Sequence, residues 1–98
     1  MDTPIATATV TVMLPSVLRP RTGGRSAVEA SGATVRAVVA SLESQYPGLG
    51  FNLLYETGEL RPFVNIFVGG ENIRYLHGLE TVVPDGATLR IIQSVAGG

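Results

Sequence analysis

The segment SGATVRAVVASLESQYPG, residues 31–48, contains the clearest structural signal in the chain. Thr34 is a suitable N-cap residue, and Pro47–Gly48 is a typical stop signal for a helix. Between these signals the apolar side chains recur at the spacing of one helix face, at Val35, Val38, Val39, Leu42 and Tyr46. The segment therefore predicts one amphipathic helix that buries a single face against another layer.

Strands are predicted on both sides of this helix from alternation and β-branched composition. They cover ATVTVML (8–14), RSAVEA (25–30), FVNIFV (63–68) and ATLRII (87–92), with a short strand in NIRYL (72–76). We interpret 15–24 as a loop and 48–62 as a loop with a short helical turn. In the turn Pro84-Asp85-Gly86, we expect the aspartate to bond to its own backbone. This order predicts one α+β domain, a mixed sheet with one main helix across one face.

Alternation along each strand predicts which side chains face the helix. The expected core positions are Val10, Val12, Leu14, Val64, Ile66, Val68, Leu89 and Ile91. The opposite, open face then carries Phe67 and Ile92 beside Asn65 and Arg90. Neighbouring exposed apolar side chains with a polar rim are typical of interaction sites, so these four residues are a predicted partner-binding patch. The alternative is that isolated apolar residues at a surface are ordinary.

Composition excludes several classes of function. The 98 residues are enough for one domain, and the net charge of −1 argues against a nucleic-acid partner. The sequence has no cysteine, which excludes disulfides, thiolate metal sites and cysteine nucleophiles. Without an apolar run of about 18 residues or a signal-peptide pattern, we expect a cytoplasmic protein that does not contact a membrane.

Catalytic residues are not predicted anywhere in the chain. His77 is the single histidine, and neither a second histidine nor a cysteine could complete a metal site with it. The acidic residues are scattered singly, and there is no nucleophile-elbow pattern. The sequence therefore predicts neither an enzyme nor a metal centre, and no bound cofactor.

The chemistry is instead predicted at the C-terminal tail, QSVAGG. Residues 1–7 are expected to be a flexible N-terminus, 8–93 the folded domain and 94–98 an exposed tail. Two residues without a Cβ could thread a narrow channel, so Val95, Ala96 and Gly97 would place the Gly98 carboxylate in a partner's active site. Extended, residues 94–98 would span about 16 Å. The alternative is a frayed end without function.

With this strand order, the Pro-Asp-Gly turn and the terminal Val-Ala-Gly-Gly, the chain resembles the ubiquitin-like β-grasp sulfur carriers of the MoaD/ThiS family. The resemblance covers residues 8–98. The segments LPSVLRPRTGG, FVNIFV and SVAGG are most similar to the CysO-type carriers of actinobacteria. The sequence departs from the family at Ala87, where a second acid is common, and at 93–94, where a proline is common.

The resemblance implies a sulfur relay in which other proteins do the catalysis. An E1-like adenylyltransferase of the MoeB/ThiF type would use ATP to adenylate Gly98. A sulfur donor of the rhodanese or cysteine desulfurase type would then produce a C-terminal thiocarboxylate. A recipient synthase would take the sulfur for cysteine, a cofactor or a sulfur-containing metabolite. A metal-dependent protease that regenerates the carrier is a further implied partner.

Two other functions remain open at this point. A ubiquitin-like protein modifier would share the activation step but would be conjugated to other proteins through Gly98. The chain has no lysine, which excludes lysine-linked chains on itself but not attachment to targets. A non-catalytic β-grasp interaction module would use its surface alone, and its tail would do nothing.

Overall fold

The computed structural model describes residues 8–94. The predicted flexible segment 1–7 and the tail residues 95–98 lie outside this range, so both remain predictions. The strands are β1 (Thr9–Met13), β2 (Ala27–Ser31), β3 (Val64–Val68), β4 (Glu71–Asn72) and β5 (Thr88–Gln93). The helices are α1 (Val35–Gln45) and the short α2 (Leu49–Leu53). The predicted order of elements and the helical turn in 48–62 are confirmed.

The strands form one mixed sheet in the order β2-β1-β5-β3-β4. β1 and β5 are parallel, whereas the pairs β1–β2, β3–β5 and β3–β4 are antiparallel. The helix α1 supplies the second layer and packs its buried side chains on one face of the sheet. The predicted α+β architecture, a mixed sheet with one main helix, is therefore confirmed.

The turn before β5 connects the beginnings of the two parallel strands. Gly86 has a φ of 83°, which glycine adopts without strain, as the turn requires. The Asp85 carboxylate does not bond to its own backbone as expected but accepts from the Thr9 N–H at 2.8 Å. Gly86 N in turn donates to the Thr9 carbonyl at 2.9 Å. The turn thus aligns β1 with β5.

The core lies between the sheet and α1, and it follows the predicted alternation. Of the expected strand positions, Val68 is half-buried and packs against the core, whereas the others are buried. On α1, Val35, Val38, Val39 and Leu42 are buried, and Tyr46 is half-buried. Thr34 caps the helix through its side-chain oxygen, which accepts from Ala37 N at 3.2 Å.

Gly32 allows the chain to pass close to the first turn of α1. A Cβ at this position would lie 2.7 Å from the carbonyl carbon of Ala37 and 2.7 Å from the nitrogen of Val38. Backbone atoms cannot move aside as a side chain can. The approach of this segment to the helix therefore depends on glycine.

Two predictions of secondary structure are wrong. Residues 15–24 do not form an open loop, because Ser16–Thr22 is a 3₁₀ helix with Leu18 and Thr22 buried. The short strand predicted at 72–76 is also misplaced: it is β4, Glu71–Asn72, and Ile73–Tyr75 is a 3₁₀ helix. The Asn72 side-chain oxygen accepts from Arg74 N at 2.9 Å and caps that turn, so the local hydrogen bond replaces strand pairing.

The edge strand β2 is covered by side chains from α1. Ser41 Oγ accepts from Ser31 N at 3.2 Å, and the Gln45 amide donates to the Glu29 carbonyl at 3.0 Å. Exposed strand edges are templates for pairing with other chains, so these two bonds protect part of that edge.

Glu43 connects the end of α1 with the start of α2. Its carboxylate accepts from Gly48 N at 2.9 Å and from Gly50 N at 2.8 Å. These two backbone hydrogen bonds stabilise the ionised form and lower the pKa of Glu43, with a smaller effect from Arg21, against some desolvation.

Candidate functional site

The described chain ends beside β3, where β5 still makes strand contacts. Gln93 is paired with Val64, and Ser94 N donates to the Phe63 carbonyl at 2.8 Å. We call Gln93 and Ser94 the tail root. The predicted reactive residue, Gly98, and the predicted threading residues Val95, Ala96 and Gly97 lie outside the described residues. Ser94, which precedes them, is nevertheless hydrogen-bonded to the Phe63 carbonyl.

Two aromatic side chains, Phe51 and Phe63, line a cavity beside Gln93 of the tail root. This shallow cavity, of about 270 Å³, is lined by Phe51, Asn52, Arg61, Phe63, Val64 and Gln93. The Arg61 guanidinium carbon lies 4.7 Å from the ring centroids of both Phe51 and Tyr55. Its Nε donates to the Phe51 carbonyl at 2.8 Å, which fixes the stack. Cation–π stacking of this kind holds the side chains of Arg61, Phe51 and Tyr55 together.

The predicted patch on the open face lies around a second cavity. This cavity, of about 370 Å³, is lined by Phe67, Gly69, Gly70, Thr88, Arg90 and Ile92. Phe67 lies opposite Arg90, and Asn65 lies opposite Ile92, across the β3–β5 pair. Phe67 is half-buried and Ile92 is 43% exposed. The structure thus brings all four predicted residues together on two neighbouring strands, and we call them the open-sheet patch.

Asn65 differs from the other members of the open-sheet patch because its side chain is engaged within the protein. Its Oδ1 atom accepts from Asn72 Nδ2 at 3.2 Å and from Arg74 Nε at 3.1 Å. A side chain with two internal partners is less available to another protein. Its place in the patch is therefore that of a fixed rim residue.

Sequence reasoning missed Arg74, which contacts the segment leading into β3. Its Nη2 atom donates to the carbonyls of Val64, at 2.7 Å, and of Arg61, at 3.0 Å. The interpretation of 72–76 as a strand gave no reason to place Arg74 there. An exposed arginine has no sequence pattern that indicates which carbonyls it contacts, so the signal arises only from the fold.

The histidine and the acidic residues form no centre in the described part of the chain. His77 is exposed, and its backbone N–H donates to Thr81 Oγ1 at 3.1 Å. Among residues 8–94, there is no cluster of three or more His, Asp or Glu side chains that could hold a metal ion. No helix in this range is both long and apolar enough to cross a membrane.

The mixed sheet has α1 packed on one face, and the chain continues beyond its central strand, β5. This arrangement defines a ubiquitin-like β-grasp protein. The ThiS family matches residues 12–98. The chain belongs to the ThiS family.

Individual relatives agree with this assignment. Sulfur carrier protein CysO of Mycobacterium tuberculosis is 45% identical over 91 residues, which is 91% of this chain and 98% of that protein. A chain of the Amycolatopsis orientalis BexX/CysO complex is 45% identical, with a TM-score of 0.85. That alignment covers 91% of this chain and 99% of the other. The predicted resemblance to MoaD/ThiS carriers, and to CysO in particular, is confirmed.

A modifier protein is also similar. The solution structure of small archaeal modifier protein 1 from Methanosarcina acetivorans matches with a TM-score of 0.82 and 34% identity. The alignment covers 95% of this chain and 99% of that one. The β-grasp body is therefore shared by proteins named as carriers and by a protein named as a modifier.

Proposed function

We propose that this chain is a sulfur carrier that bears sulfur as a thiocarboxylate on Gly98. The observation that carries the proposal is the ThiS-family match, which extends through the terminal Gly97–Gly98 pair. The high identity to proteins named sulfur carriers supports the same role. The prediction that the chain is not an enzyme is confirmed, because its relatives are carriers.

The chemistry takes place in two steps at the terminal carboxyl group. The Gly98 carboxylate attacks the α-phosphorus of ATP, forming an acyl-adenylate and releasing pyrophosphate. A sulfur nucleophile then attacks the acyl carbon, a C–S bond forms, and AMP leaves. Hydrosulfide gives the thiocarboxylate directly, whereas a persulfide on the donor gives an acyl disulfide. A second thiol then cleaves its S–S bond, which releases the thiocarboxylate and leaves a disulfide on the donor. ATP is consumed by the activating enzyme and is not a cofactor of the carrier. The absence of cysteine fits this scheme, since sulfur is carried on the main chain.

The hydrogen-bonded tail root supports separate roles for the two parts of the chain, with docking by the folded body and chemistry at the tail. Ser94 is held to the Phe63 carbonyl, and four residues follow it. At about 3.3 Å per extended residue, these four span about 13 Å. The folded body can then rest on the surface of an enzyme while Gly98 reaches an active site below that surface. Glycine at 97 and 98 keeps the thread narrow.

The proposed partners follow from these steps. They are an E1-like adenylyltransferase of the MoeB/ThiF type, a sulfur donor of the rhodanese or cysteine desulfurase type, and a recipient synthase. A metal-dependent protease that releases the spent carrier is a further proposed partner. A relative occurs in a complex named BexX/CysO, which supports binding to another protein. The open-sheet patch is the proposed contact surface, and the cytoplasm the proposed location.

Intact-mass measurement tests the proposal directly. The protein is incubated with ATP, an E1-like enzyme and a sulfide source, with a reaction lacking ATP as the control. The expected result is a mass increase equal to the difference between one sulfur and one oxygen atom, placed on Gly98 by fragmentation. An unchanged mass in the complete reaction would contradict the proposal.

A second candidate function is protein modification, which the similarity to a small archaeal modifier protein favours. The acyl-adenylate would then react with an amine of a target protein, and the product would be an amide-linked conjugate. Incubation with a lysate distinguishes the two functions. Conjugates that disappear when Gly98 is deleted support the modifier, whereas a free thiocarboxylate supports the carrier. A module whose tail has no function would give neither product.

A further inference from the structure

Along part of the outer edge of β3, the Arg74 side chain provides hydrogen bonds that a neighbouring strand would otherwise make. In the described sheet, β4 pairs with Phe67 and Val68, at the far end of β3 from the tail root. Ser94 N bonds to the Phe63 carbonyl across the β3–β5 pair. The carbonyls of successive residues in a strand point to opposite edges, so the Val64 carbonyl faces away from β5. Arg74 Nη2 donates to this carbonyl at 2.7 Å, where β4 does not extend.

The same guanidinium group contacts three further acceptors in one short segment. Nη2 lies 3.0 Å from the Arg61 carbonyl and 3.5 Å from the Pro62 carbonyl. Nε donates to Asn65 Oδ1 at 3.1 Å. The guanidinium is planar and carries five donors in a fixed fork, so a single side chain can bind several acceptors in one geometry. Residues 61–65 are thereby clamped to the 3₁₀ helix Ile73–Tyr75.

Phe63 lies within the clamped segment and is also the partner of the tail root. The carbonyls on both sides of it, at Pro62 and Val64, contact Arg74, while its own carbonyl accepts from Ser94 N at 2.8 Å. Any movement of residues 62–64 therefore moves the acceptor of Ser94. The position of Ser94, the last described residue, therefore depends on this chain of contacts.

We propose that Arg74 is a positioning residue for the C-terminal tail, acting through Phe63 on Ser94. The role rests on the proposed function, because it matters only if an enzyme requires the Gly98 carboxylate at a defined position in its active site. Misplacement of a reacting group by about 1 Å can cost about a hundredfold in rate. A clamp at the tail root limits the positions that the terminal carboxylate can reach after the body has docked.

Arg74→Ala and Arg74→Lys test this role, with Arg36→Ala as the matched control. Arg36 also holds a loop, by donating to the Gly58 carbonyl at 3.0 Å and pairing with Glu80 at 2.7 Å, but contacts no residue of the 61–65 segment. The first measurement is amide hydrogen exchange at Ser94 in the isolated protein. The second is the kcat and KM of adenylation by an E1-like enzyme, with the carrier as the varied substrate.

We expect Arg74→Ala to raise the exchange rate of the Ser94 amide by about tenfold or more, because the acceptor is no longer fixed. We also expect kcat to fall by about tenfold or more with little change in KM, because Arg74 is not a member of the open-sheet patch and Asn65 keeps its hydrogen bond from Asn72. Arg74→Lys should lie between wild type and Arg74→Ala, since an ammonium group cannot span the same acceptors. It also serves as the test if Arg74→Ala is too unstable to measure. Arg36→Ala should match wild type in both measurements.

Unchanged Ser94 exchange in both Arg74 variants would overturn the proposal. So would a loss of adenylation that appears in KM alone, because that result indicates a docking contact instead. The proposed function fails separately: if wild-type protein is not adenylated, the exchange experiment still reports whether Arg74 holds the tail root.

Discussion

Phe67 and Arg90 lie opposite each other across the β3–β5 pair, and both line the cavity on the open face of the sheet. Aromatic residues and arginine are both enriched in protein interfaces. Phe67→Ala and Arg90→Glu should each raise the KM of adenylation by about tenfold, equal to about 1.4 kcal/mol of binding energy. Steady-state kinetics with the carrier as the varied substrate provide the measurement.

The controls for this prediction make the same changes elsewhere. Val17→Ala removes an exposed apolar side chain, and Arg25→Glu reverses the charge of an exposed arginine, both outside the open-sheet patch. Both should leave KM unchanged. Equal KM values for Phe67→Ala, Arg90→Glu and wild type would show that the patch is not a docking surface.

The tail should tolerate no change in length. Deletion of Gly98 or addition of one residue shifts the terminal carboxylate by about 3.3 Å, which is large for a reaction centre. Gly97→Val adds a branched side chain where the thread must be narrow. We expect native-like circular dichroism and melting for all three, with thiocarboxylate formation lost in intact-mass spectra. If the extended protein is converted at its new terminus at the wild-type rate, the enzymes do not specifically recognise the two glycines.

A charged side chain on the buried face of α1 should destabilise the fold. Val39 is 3% exposed, so Val39→Asp places a carboxylate without a partner in the core. We expect a loss of at least about 3 kcal/mol of unfolding free energy, or a fall in Tm of about 12 °C or more. Ala40→Asp, at an exposed position of the same helix, should cost less than about 1 kcal/mol. Equal melting temperatures for the two variants would mean that the assigned helix face is wrong.

Gly32 should be required for its size and not for its backbone conformation. In Gly32→Ala the new Cβ would lie 2.7 Å from backbone atoms of α1, so the first turn must shift. We expect a loss of about 2–4 kcal/mol in chemical denaturation. Gly24→Ala is the control, because it places a Cβ in open space and strains only a φ of 89°, for a cost of about 1 kcal/mol. A larger loss for Gly24→Ala would contradict the steric explanation.

The lowered pKa of Glu43 predicts the direction in which the free energy of unfolding changes with pH. A carboxyl group with a lower pKa in the folded state stabilises the fold above its ordinary value of 4.5. This stabilisation is lost as the pH falls through the folded-state pKa. The difference in unfolding free energy between wild type and Glu43→Gln should therefore be constant near neutral pH and shrink below about pH 4.5. Denaturation curves at pH 7 and pH 3 test this, and an equal difference at both would exclude the mechanism.

The elements that could be predicted from sequence are those with a local and repetitive cause. The helix α1 has a 3.6-residue apolar period and a capping threonine, β1 alternates regularly, and β3 and β5 are rich in β-branched and aromatic residues. The 3₁₀ helix Ser16–Thr22 was missed, because its prolines and nearby glycines are also typical of a loop. Burial of Leu18 is the feature that distinguishes the two, and burial is a tertiary property.

The candidate site could be predicted in part for the same reason. Alternation placed Phe67, Arg90 and Ile92 together, since a sheet face follows directly from strand register. The clamp by Arg74 was missed because it joins residues 9 to 13 positions apart through an irregular turn. The bond between Thr9 and Asp85 spans 76 positions and was also missed. Neither contact produces a periodic pattern.

The central position of β5 has a consequence for the synthesis of the protein. In the described sheet, β5 separates the pair β1–β2 from the pair β3–β4 and is the strand that joins them. While residues 88–93 are still inside the ribosome, β1 and β3 each retain an open edge, and the sheet cannot close. Folding is therefore coupled to the translation of Thr88–Gln93. A nascent chain interrupted before Thr88 is expected to be degraded as an unfolded protein.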